Sequence, residues 1–391
     1  MNTESRKTIL FIPRWYPFPK DEMYGLFIRN HAELLVDRFK VVVIYAHPVY
    51  SQQEVDFTVD EENGIRVYRN YFRVDPKGVK RVFNPLRFLV ATFRLWNRIK
   101  KDGISPDLCH VHVLTRTAIL PYLLKLTQGV PYIVTEHWSR YLSENRKKAY
   151  TGLLRKCLST FLSQNAFALT AVTNALLSEM AQCGVRNQQS LVIPNVVDTD
   201  RFQHKESKKQ PGVILHVGCF DEKAKNIKGL LHTVKRLHDA GNPFKLKLVG
   251  TGEDWQMCLD YAKKIGLDPS VAEFTGLLLG QELVEEYQRC EALVLFSHYE
   301  TQGVVLLEAF ACGKPVIASR VGGIPEIMAP ERGLLIEPGN EDQLLEALSR
   351  ILDHQVAFAP PEKIRAFAED HFSRRAILAQ FTHLYHKAFN Q

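Results

Sequence analysis

The sequence predicts an α/β protein made of two doubly wound, Rossmann-like domains. Short apolar runs, typical of buried strands, alternate with helix-like segments along most of the chain. Continuous apolar strands of this kind are typical of parallel sheets that are covered by helices on both faces. The alternation occurs twice, before and after the polar segment Asn195–Gly212, which we interpret as a linker. A chain of 391 residues is long enough for two domains, and we place them at residues 1–205 and 206–372.

Each series contains six predicted strands, with helices between them. The first series comprises Thr8–Pro13, Lys40–Ala46, Asp107–His112, Pro131–Thr135, Phe167–Val172 and Ser190–Ile193. The second comprises Val213–Val217, Lys245–Val249, Ala272–Thr275, Ala292–Ser297, Pro315–Ser319 and Gly333–Ile336. Ligands of doubly wound folds bind at the carboxyl ends of the strands, so we expect the active site in a cleft between the two domains.

The composition excludes several classes of protein. No apolar run is long enough to span a bilayer, and the N-terminus lacks the features of a secretory signal. The seven cysteines are scattered and form no CxxC pair, which argues against a disulfide framework or a zinc site. We therefore expect a cytoplasmic protein with reduced thiols.

The positive charge is concentrated in the first half of the chain. The net charge is +7, and the stretch Pro76–Lys101 holds eight Lys or Arg residues and no Asp or Glu. Apolar residues and Arg or Lys residues form separate stripes on the predicted helix 84–101, the apolar stripe being Leu86, Leu89, Val90, Phe93 and Trp96. This pattern fits a core-packed helix with a solvated basic face, and equally a helix that docks on an anionic membrane surface. Nucleic-acid binding is not expected, because no aromatic-basic platform accompanies the charge.

The stretch from Ala292 to Glu326 carries the chemistry. A buried strand leads into Glu300 and Gly303, and a short helix with Glu308 inside it ends at Gly313. A glycine at the start of a helix lets a phosphate approach the free backbone N–H groups. A half-buried glutamate needs hydrogen-bond partners, and two ribose hydroxyls would supply them. Eight helical residues separate Cα atoms by about 12 Å, whereas a glycosidase carboxyl pair stands about 5–10 Å apart. The two glutamates therefore fit contacts along one extended ligand.

The motif E-x-x-G-x-x-x-x-E-A-x-A-C-G-x-P-V-I-A that starts at Glu300 resembles the signature of the retaining GT-B glycosyltransferases of family 4. Shorter motifs that resemble the family occur in its order along nearly the whole chain. They are Tyr24-Gly25, the Val-Thr-Glu-His run ending at His137, Pro194-Asn-Val-Val-Asp198, Val217-Gly218 with Lys225, Gly250-x-Gly252 and Gly322-Gly323-x-x-Glu326.

The resemblance implies a role for each matched residue. Lys225 and the amides after Gly303 would neutralise the donor diphosphate. Glu308 would hold the ribose, and Glu300 the hydroxyls of the transferred sugar. His137 would contact that sugar near its reacting carbon, so His137 and Glu300 are the candidate catalytic residues. No metal or other cofactor would be required.

The resemblance also implies the rest of the site and the organisation of the domains. The donor site would include Gly218, Gly250, Gly252, Thr301, Gln302 and Val304. Tyr24 and Gly25 would form a glycine loop in an acceptor-binding N-terminal domain. The C-terminal domain would bind the nucleotide-sugar, and a terminal helix within 373–391 would pack back on the first domain.

Three further residues, Cys219, His110 and His112, are not part of this predicted site. Cys219 occupies the position where the family commonly has an arginine, so a two-pronged phosphate contact is missing, and Lys228 or Arg320 would have to compensate. His110 and His112 lie on one predicted strand. We expect at most one of them to face the cleft and interpret neither as a ligand.

The sequence thus predicts transfer of a hexose, with retained configuration, from a UDP- or GDP-sugar to a hydroxyl of a glycan or lipid-linked acceptor. Synthesis of bacterial surface polysaccharide, lipopolysaccharide or glycolipid is the expected setting, with the basic helix 84–101 docked on the inner face of the membrane. Two alternatives remain. One is a nucleotide-sugar epimerase of the same fold, and the other is a non-catalytic nucleotide-sugar-binding or scaffold protein.

Overall fold

The computed structural model describes residues 6–205 and 209–390 and divides them into two compact units. Unit 1 contains the described residues up to Val196 and those from Leu378 onward, and unit 2 contains Val197–Ile377. The predicted domain boundary at 205/206 falls at residues 206–208, which lie outside the described residues. Val197 and Phe202 are buried in the core of unit 2, so the first part of the predicted linker is packed.

Unit 1 is built on an eight-stranded sheet with the order β3-β4-β2-β1-β5-β6-β7-β8. Its strands are β1 (Thr8–Pro13), β2 (Lys40–Val49), β3 (Asp56–Glu62), β4 (Ile65–Arg73), β5 (Leu108–His112), β6 (Tyr132–Glu136), β7 (Ala168–Ala171) and β8 (Ser190–Val192). All neighbouring pairs are parallel except β3 and β4. The strands β1, β5, β6 and β7 are fully buried, as apolar runs in a doubly wound sheet should be.

The hairpin β3–β4 was not predicted from the sequence. Its turn is Asn63-Gly64, and both residues have positive φ, which is the conformation that a two-residue hairpin turn requires. Strand β3 lies at the edge of the sheet and is half-exposed and acidic, so it lacks the apolar pattern of the other strands.

The helices of unit 1 are α1 (Leu26–Leu35), α2 (Asn84–Lys101), α3 (Ile119–Gln128), α4 (Ser143–Ala149), α5 (Leu153–Asn165) and α6 (Asn174–Gln182), and a short 3₁₀ helix over Val79–Phe83 precedes α2. The last helix, α15 (Arg374–Phe389), continues from unit 2 into unit 1, where Phe381 and Tyr385 are buried. The core-facing side of α2 differs from the predicted stripe. Leu86 and Val90 are exposed, and the buried residues are Phe88, Ala91, Thr92, Leu95, Trp96 and Ile99.

Unit 2 is built on a six-stranded parallel sheet with the order β11-β10-β9-β12-β13-β14. Its strands are β9 (Val213–Val217), β10 (Lys245–Val249), β11 (Ala272–Gly276), β12 (Ala292–Leu295), β13 (Val316–Ser319) and β14 (Gly333–Ile336). The order is that of a Rossmann fold, with the topological switch between β9 and β12. Both units therefore confirm the predicted Rossmann-like α/β sheets of parallel strands.

Eight helices lie wholly within unit 2, namely α7 (Glu222–Lys225), α8 (Ile227–Asp239), α9 (Trp255–Lys264), α10 (Gly280–Arg289), α11 (Val304–Ala311), α12 (Ile324–Ile327), α13 (Glu341–Leu352) and α14 (Pro361–Phe372). In the described parts of both units, no helix combines the length and the apolar character that crossing a bilayer requires.

Candidate active site

The candidate donor residues of unit 2 follow the two strands that flank its switch point. The segment after β9 leads to Lys225 at the end of α7, and the segment after β12 leads to Glu300. The ammonium of Lys225 forms an ion pair with Oε1 of Glu300, which also accepts a hydrogen bond from the Ser297 hydroxyl at 3.2 Å. The two segments are joined again where the His298 amide donates to the Ala224 carbonyl at 2.8 Å. A cation and a carboxylate thus lie side by side where a doubly wound fold binds ligands.

Two glycines fix the backbone of the Glu300 segment. A side chain at Gly322, which has a φ of 50°, would collide with the Glu300 carbonyl. The neighbouring Gly323 amide donates to the Thr301 carbonyl at 3.0 Å. Gly322 is therefore needed because the chain after β13 passes directly against the loop that carries Glu300, whereas the Gly323 contact is a backbone bond that does not require glycine.

Helix α11 begins at Gly303, whose φ of 75° places it in the left-handed region that favours glycine. No side chain caps the helix there, which is the arrangement that suits an anionic ligand at a helix N-terminus. Gln302 before it is buried, Thr301 is half-buried, and Val304 begins the helix half-exposed. The predicted donor residues 301–304 therefore form the start of α11 and the turn that leads into it.

Glu308 lies one turn into α11 and is half-buried between apolar neighbours. Its Oε2 accepts a hydrogen bond of 2.6 Å from the hydroxyl of Tyr287, a fully buried residue of α10. Desolvation raises the pKa of Glu308 to about 7, and the Tyr287 hydroxyl and the charge of Arg201 oppose that rise. Near neutral pH this carboxyl is therefore poised between its two protonation states.

The glycines at the ends of β9 and β10 serve close backbone approach. A side chain at Gly250 would collide with the Gly218 carbonyl, and one at Gly252 would collide with the backbone of Phe220. The amides of Gly218 and Gly250 donate to the carbonyls of Val249 and Gly276, at 3.0 and 2.8 Å. These contacts explain Gly250 and Gly252 as packing of adjacent loops, without reference to a ligand, whereas a side chain at Gly218 would make only an ordinary contact with His216.

Both predicted substitutes for the missing arginine contact other residues in the structure. Cys219 is exposed at that position. The ammonium of Lys228 lies over the Tyr261 ring, 5.6 Å from its centroid, and Arg320 donates to Glu337 at 3.0 Å. Lys225 is therefore the predicted phosphate-binding cation that faces a predicted sugar-binding carboxylate.

His216 was not singled out from the sequence. Its Nδ1 bonds to the Val294 carbonyl at 3.1 Å, and burial lowers its pKa to about 4, so the ring is neutral. Its Nε2 is buried without a hydrogen-bond partner among the described residues and lies beneath Gly218. A lone histidine in an apolar strand gives no sequence signal for this placement.

In unit 1, the candidate glycine loop enters helix α1. Gly25 has a φ of 75°, and a side chain there would lie 2.6 Å from the Trp15 backbone. Tyr24 is half-buried, and its ring is edge-on to those of Phe18 and His47. Only glycine allows this loop to pack on the chain after β1.

His137 directly follows β6 and is buried against Phe27, at a ring distance of 4.7 Å. The fully buried Glu136 orients it, because its carboxylate accepts the backbone N–H groups of His137 and Trp138 at 3.0 and 2.9 Å. Arg140 completes this arrangement with an ion pair to Glu136. Burial drives the pKa of His137 well below its usual value, so its imidazole is neutral at pH 7.

His137 belongs to a histidine cluster that comprises His31, His110, His112 and His137, all buried. His112 Nδ1 lies 3.1 Å from His137 Nε2, and His110 and His112 have their ring centroids 4.1 Å apart. The premise that His110 and His112 alternate across the strand is wrong, because residues two apart on a strand share a face, and both rings join this cluster. The sequence gives no local signal for the cluster, since its members come from α1, β5 and the end of β6.

A hydrogen-bonded chain continues from the cluster to the last helix. The Tyr385 hydroxyl is 2.6 Å from His110 Nδ1, and His110 Nε2 is 2.6 Å from the Thr135 hydroxyl. Phe381 packs edge-on against His31 at 5.1 Å. Helix α15 thus supplies both an apolar and a polar contact to the cluster.

Three of these histidines could in principle share a metal ion. One ring nitrogen from each of His31, His112 and His137 lies within 4.8 Å of the others. The nitrogens of His112 and His137 that face each other are already at hydrogen-bond distance, and the nearby Glu136 carboxylate accepts three backbone N–H groups. A divalent cation would break the first bond and would lie buried without a free carboxylate, which is costly. The geometry therefore fits a neutral hydrogen-bonded cluster better.

Comparison with known protein families shows to which family the chain belongs. Residues 24–201 match the model of Glycosyltransferase Family 4, and residues 211–354 match that of Glycosyl transferases group 1. The chain belongs to the GT-B glycosyltransferases of family 4. The matched ranges contain the histidine cluster's His31, His110, His112 and His137 and the donor residues from Gly218 to Glu308.

Relatives and solved structures agree with this assignment. The N-acetyl-alpha-D-glucosaminyl L-malate synthase of Bacillus anthracis is 26% identical over 72% of this chain and 74% of its own length. A putative teichuronic acid biosynthesis glycosyltransferase of Bacillus subtilis is 24% identical over 89% and 90%. Sucrose-phosphate synthase from Thermosynechococcus elongatus shares the fold, with a TM-score of 0.79 and 20% identity over 98% of this chain and 100% of that one. Anabaena HepE in complex with UDP and glucose has a TM-score of 0.71 and 18% identity over 97% and 100%.

Proposed function

We propose that this glycosyltransferase moves a hexose from a UDP- or GDP-sugar to a hydroxyl of a glycan or lipid-linked acceptor, with retention and without a metal. The observation that carries the proposal is the pairing of Lys225 with Glu300 beside the uncapped start of α11 and Glu308. An acceptor for sugar hydroxyls at Glu300, charge for a diphosphate at Lys225 and the start of α11, and an acceptor for ribose hydroxyls at Glu308 follow one another there. A nucleotide-sugar presents the complementary groups in the same order, because its diphosphate lies between the sugar and the ribose.

The contacts suggest how the site would change when a donor binds. Lys225 and Glu300 neutralise each other in the structure. A diphosphate, with more negative charge than one carboxylate, would draw the ammonium away and free Glu300 for the hydroxyls of the sugar. Lys225 and the amides of α11 would then stabilise charge on the departing diphosphate, so no metal is needed for that purpose.

The proposed reaction is a substitution at the anomeric carbon, in which one bond breaks and one bond forms. The bond between that carbon and the donor phosphate oxygen breaks, and a bond to the acceptor oxygen forms on the same face. The acceptor proton passes to a phosphate oxygen of the leaving diphosphate. His137 is neutral at pH 7 because of its burial, so its role is to hydrogen-bond the sugar rather than to carry charge.

We propose the donor only as a class of compound, a UDP- or GDP-sugar. Among solved proteins of the same fold, Anabaena HepE is described in complex with UDP-glucose, and a sucrose-phosphate synthase is also similar. These names favour testing UDP-sugars first, with GDP-sugars beside them. Bacterial surface polysaccharide, lipopolysaccharide or glycolipid synthesis fits the relative named for teichuronic acid biosynthesis.

A panel of UDP- and GDP-sugars, tested for thermal stabilisation and then for turnover with and without acceptor, decides between the proposals. We expect one donor to stabilise the protein and to be consumed faster with an acceptor present. Epimerisation of the donor without acceptor would favour the epimerase. Donor binding without transfer or hydrolysis would favour the non-catalytic alternative.

The ribose assignment has its own test. We expect Glu308→Ala to weaken UDP or GDP binding by roughly 100-fold while the circular dichroism spectrum stays unchanged, since a paired contact to two hydroxyls is lost. Wild-type affinity for both nucleotides in this variant would exclude Glu308 as the ribose contact.

We also propose that unit 1 docks on an anionic membrane, through a surface that includes the residues just before α2. The described chain from Lys77 to Phe83 is exposed throughout, and Val79 and Leu86 are 84% and 58% exposed. Exposed Val82 and Phe83 stand among the cations Lys77, Lys80 and Arg81. Apolar residues that insert and cations that meet anionic headgroups are the combination a lipid surface attracts.

Two arginines of the predicted helix 84–101 are already paired with carboxylates. Arg87 donates to Asp75 at 2.6 Å and Arg98 donates to Asp102 at 3.1 Å. The segment 77–83 combines cations with exposed apolar side chains, and this combination supports the proposal that it is part of the docking surface.

A further inference from the structure

Helix α10 contributes one side chain to the candidate ribose site. The hydroxyl of Tyr287 donates to Glu308 Oε2 at 2.6 Å, across from α10 to α11. Tyr287 is fully buried, and the Phe202 ring packs edge-on against it at 5.6 Å. Its ring therefore has little freedom, and the position of its hydroxyl is set by the core of unit 2.

The bond is chemically specific. A tyrosine hydroxyl is a donor that strengthens its bond when the accepting carboxyl becomes ionised. It also anchors one carboxylate oxygen and so restricts the orientation of Glu308. A carboxylate that is already oriented loses less entropy when a ligand binds.

We propose that Tyr287 is a positioning residue for nucleotide recognition, which holds Glu308 ionised and oriented so that it accepts the ribose hydroxyls. This inference rests on the proposed function, because it assumes that Glu308 contacts the ribose. Tyr287 does not itself touch the donor, since it is fully buried beneath Glu308.

The groups that surround Glu308 make the proposal testable by pH. Burial raises the pKa of Glu308 to about 7, whereas the Tyr287 hydroxyl and the charge of Arg201 lower it. The thiols of Cys290 and Cys312 interact with Tyr287, and burial raises the pKa of both, so they stay neutral between pH 6 and 9. Loss of the Tyr287 hydroxyl should therefore raise the pKa of Glu308 further.

The measurement is the ratio of the dissociation constants of the 2′-deoxynucleoside diphosphate and the ribonucleoside diphosphate, from pH 5.5 to 9. The pairs used are dUDP with UDP and dGDP with GDP, by calorimetry. Both members of a pair carry the same diphosphate, so the ionisation of the phosphate cancels and the ratio reports the contact to the 2′-hydroxyl. The proteins compared are the wild type, Tyr287→Phe, Glu308→Gln and the double variant, with Tyr132→Phe as control. Tyr132 is a buried tyrosine of unit 1 whose hydroxyl donates to the Leu162 carbonyl at 2.6 Å.

In the wild type and in Tyr132→Phe, we expect the ratio to rise with pH through a midpoint near 7. In Tyr287→Phe the midpoint should move up by ~1 pH unit, the size of a lost hydrogen bond to a charged group. Such a shift lowers the ionised fraction of Glu308 at pH 7 about fivefold and leaves it nearly unchanged at pH 9. In the Glu308→Gln background, Tyr287→Phe should have no further effect on the ratio.

The possible outcomes separate the two assignments. If the wild-type ratio titrates and Tyr287→Phe leaves its midpoint unchanged, the role of Tyr287 is wrong while the ribose assignment stands. If the wild-type ratio is flat and close to one, Glu308 does not bind the ribose and the proposed donor site fails. Should Tyr287→Phe prove too unstable to purify, Tyr287→His keeps a ring N–H donor. If the ratio in Tyr287→His then stays within about twofold of the wild type, the proposal is supported. If Tyr287→His instead gives a flat profile like that of Glu308→Gln, the proposal is contradicted.

Discussion

The candidate residues of the two units are held in opposite electrostatic ways. In unit 2, charged groups are paired with partners that a ligand could displace or share, as with Lys225 and Glu300 or Tyr287 and Glu308. In unit 1, the histidine cluster is neutral, because burial drives the pKa of its imidazoles below the usual value. The candidate residues of unit 2 are thus charged and paired, whereas the clustered histidines of unit 1 are neutral.

Because of this difference, we expect substitutions in the two units to change different quantities, namely donor affinity and turnover. Loss of a charge in unit 2 should affect affinity for the nucleotide-sugar, because the donor carries the complementary charge. Loss of a hydrogen bond in the histidine cluster should affect turnover, because a neutral imidazole adds little to the binding of a diphosphate. Each prediction below tests one side of this contrast.

The largest effect is expected at Lys225. Lys225→Ala removes the cation that pairs with Glu300, and we expect transfer activity to fall roughly 10²–10³-fold, as for other losses of a group that stabilises developing charge. The control is Lys228→Ala, whose ammonium lies over the Tyr261 ring instead. Steady-state kinetics on both variants tests this, and equal losses would contradict a special role for Lys225.

A smaller effect is expected in the histidine cluster. His112→Phe keeps a ring stacked on Phe11 but removes the hydrogen bond to His137, and we expect kcat to fall about tenfold for one lost bond. Nucleotide affinity, measured by calorimetry, should stay within about twofold of the wild type, because unit 2 is unchanged. Tyr68→Phe, which loses a hydroxyl bond to Asp102 elsewhere in unit 1, serves as the control. A His112→Phe variant with weakened nucleotide binding and unchanged kcat would reverse the contrast.

How far the sequence predicts these sites also differs between the units. The donor residues follow a contiguous motif, so Glu300, Gly303 and Glu308 were identified from spacing within one β–α unit. The motif does not contain Tyr287, because the bond between α10 and α11 depends on packing of helices and leaves no local pattern.

In unit 1 the sequence predicted His137 alone of the cluster. His31 lies more than a hundred residues away on α1, and only the sheet order β1-β5-β6 brings these elements together. The hairpin β3–β4 was missed for another reason. Its Asn63-Gly64 turn is a strong local signal, but the acidic edge strand β3 hides the apolar alternation.

The proposed membrane surface belongs to unit 1 and should leave the donor site unaffected. Lys80→Glu with Arg81→Glu should reduce pelleting with vesicles of anionic phospholipid by more than tenfold at low salt, since the two lost basic residues contribute ~1 kcal/mol each near such a surface. Lys263→Glu with Lys264→Glu changes the same charge on the exposed end of α9 in unit 2 and should have little effect. If Lys80→Glu with Arg81→Glu leaves pelleting unchanged, the docking proposal is wrong.

The last prediction concerns stability, and it compares the two units directly. The pKa of Glu308 in the folded protein, about 7, lies above its ordinary value of 4.5, so the folded state binds this proton more tightly than the unfolded state does. The ionised carboxylate therefore costs stability above pH 7, and this cost disappears as the pH falls towards 4.5. The contribution of the histidine cluster to stability depends on pH in the opposite direction. Its pKa values are lowered by burial, so its contribution is complete above pH 6.5 and is lost in acid.

Glu308→Gln isolates the unit 2 contribution. At pH 8 the substitution should stabilise the unliganded protein by ~1–3 kcal/mol, or about 2–6 °C in Tm, because it removes a carboxylate that is ionised against its surroundings. At pH 5 the folded protein holds the proton and most of this cost has disappeared, so the two Tm values should differ much less than at pH 8. Thermal unfolding at both pH values measures this. A Glu308→Gln variant that is less stable than the wild type at pH 8 would mean that the carboxylate is stabilised by its neighbours, so unit 2 would not be storing strain for a ligand to relieve.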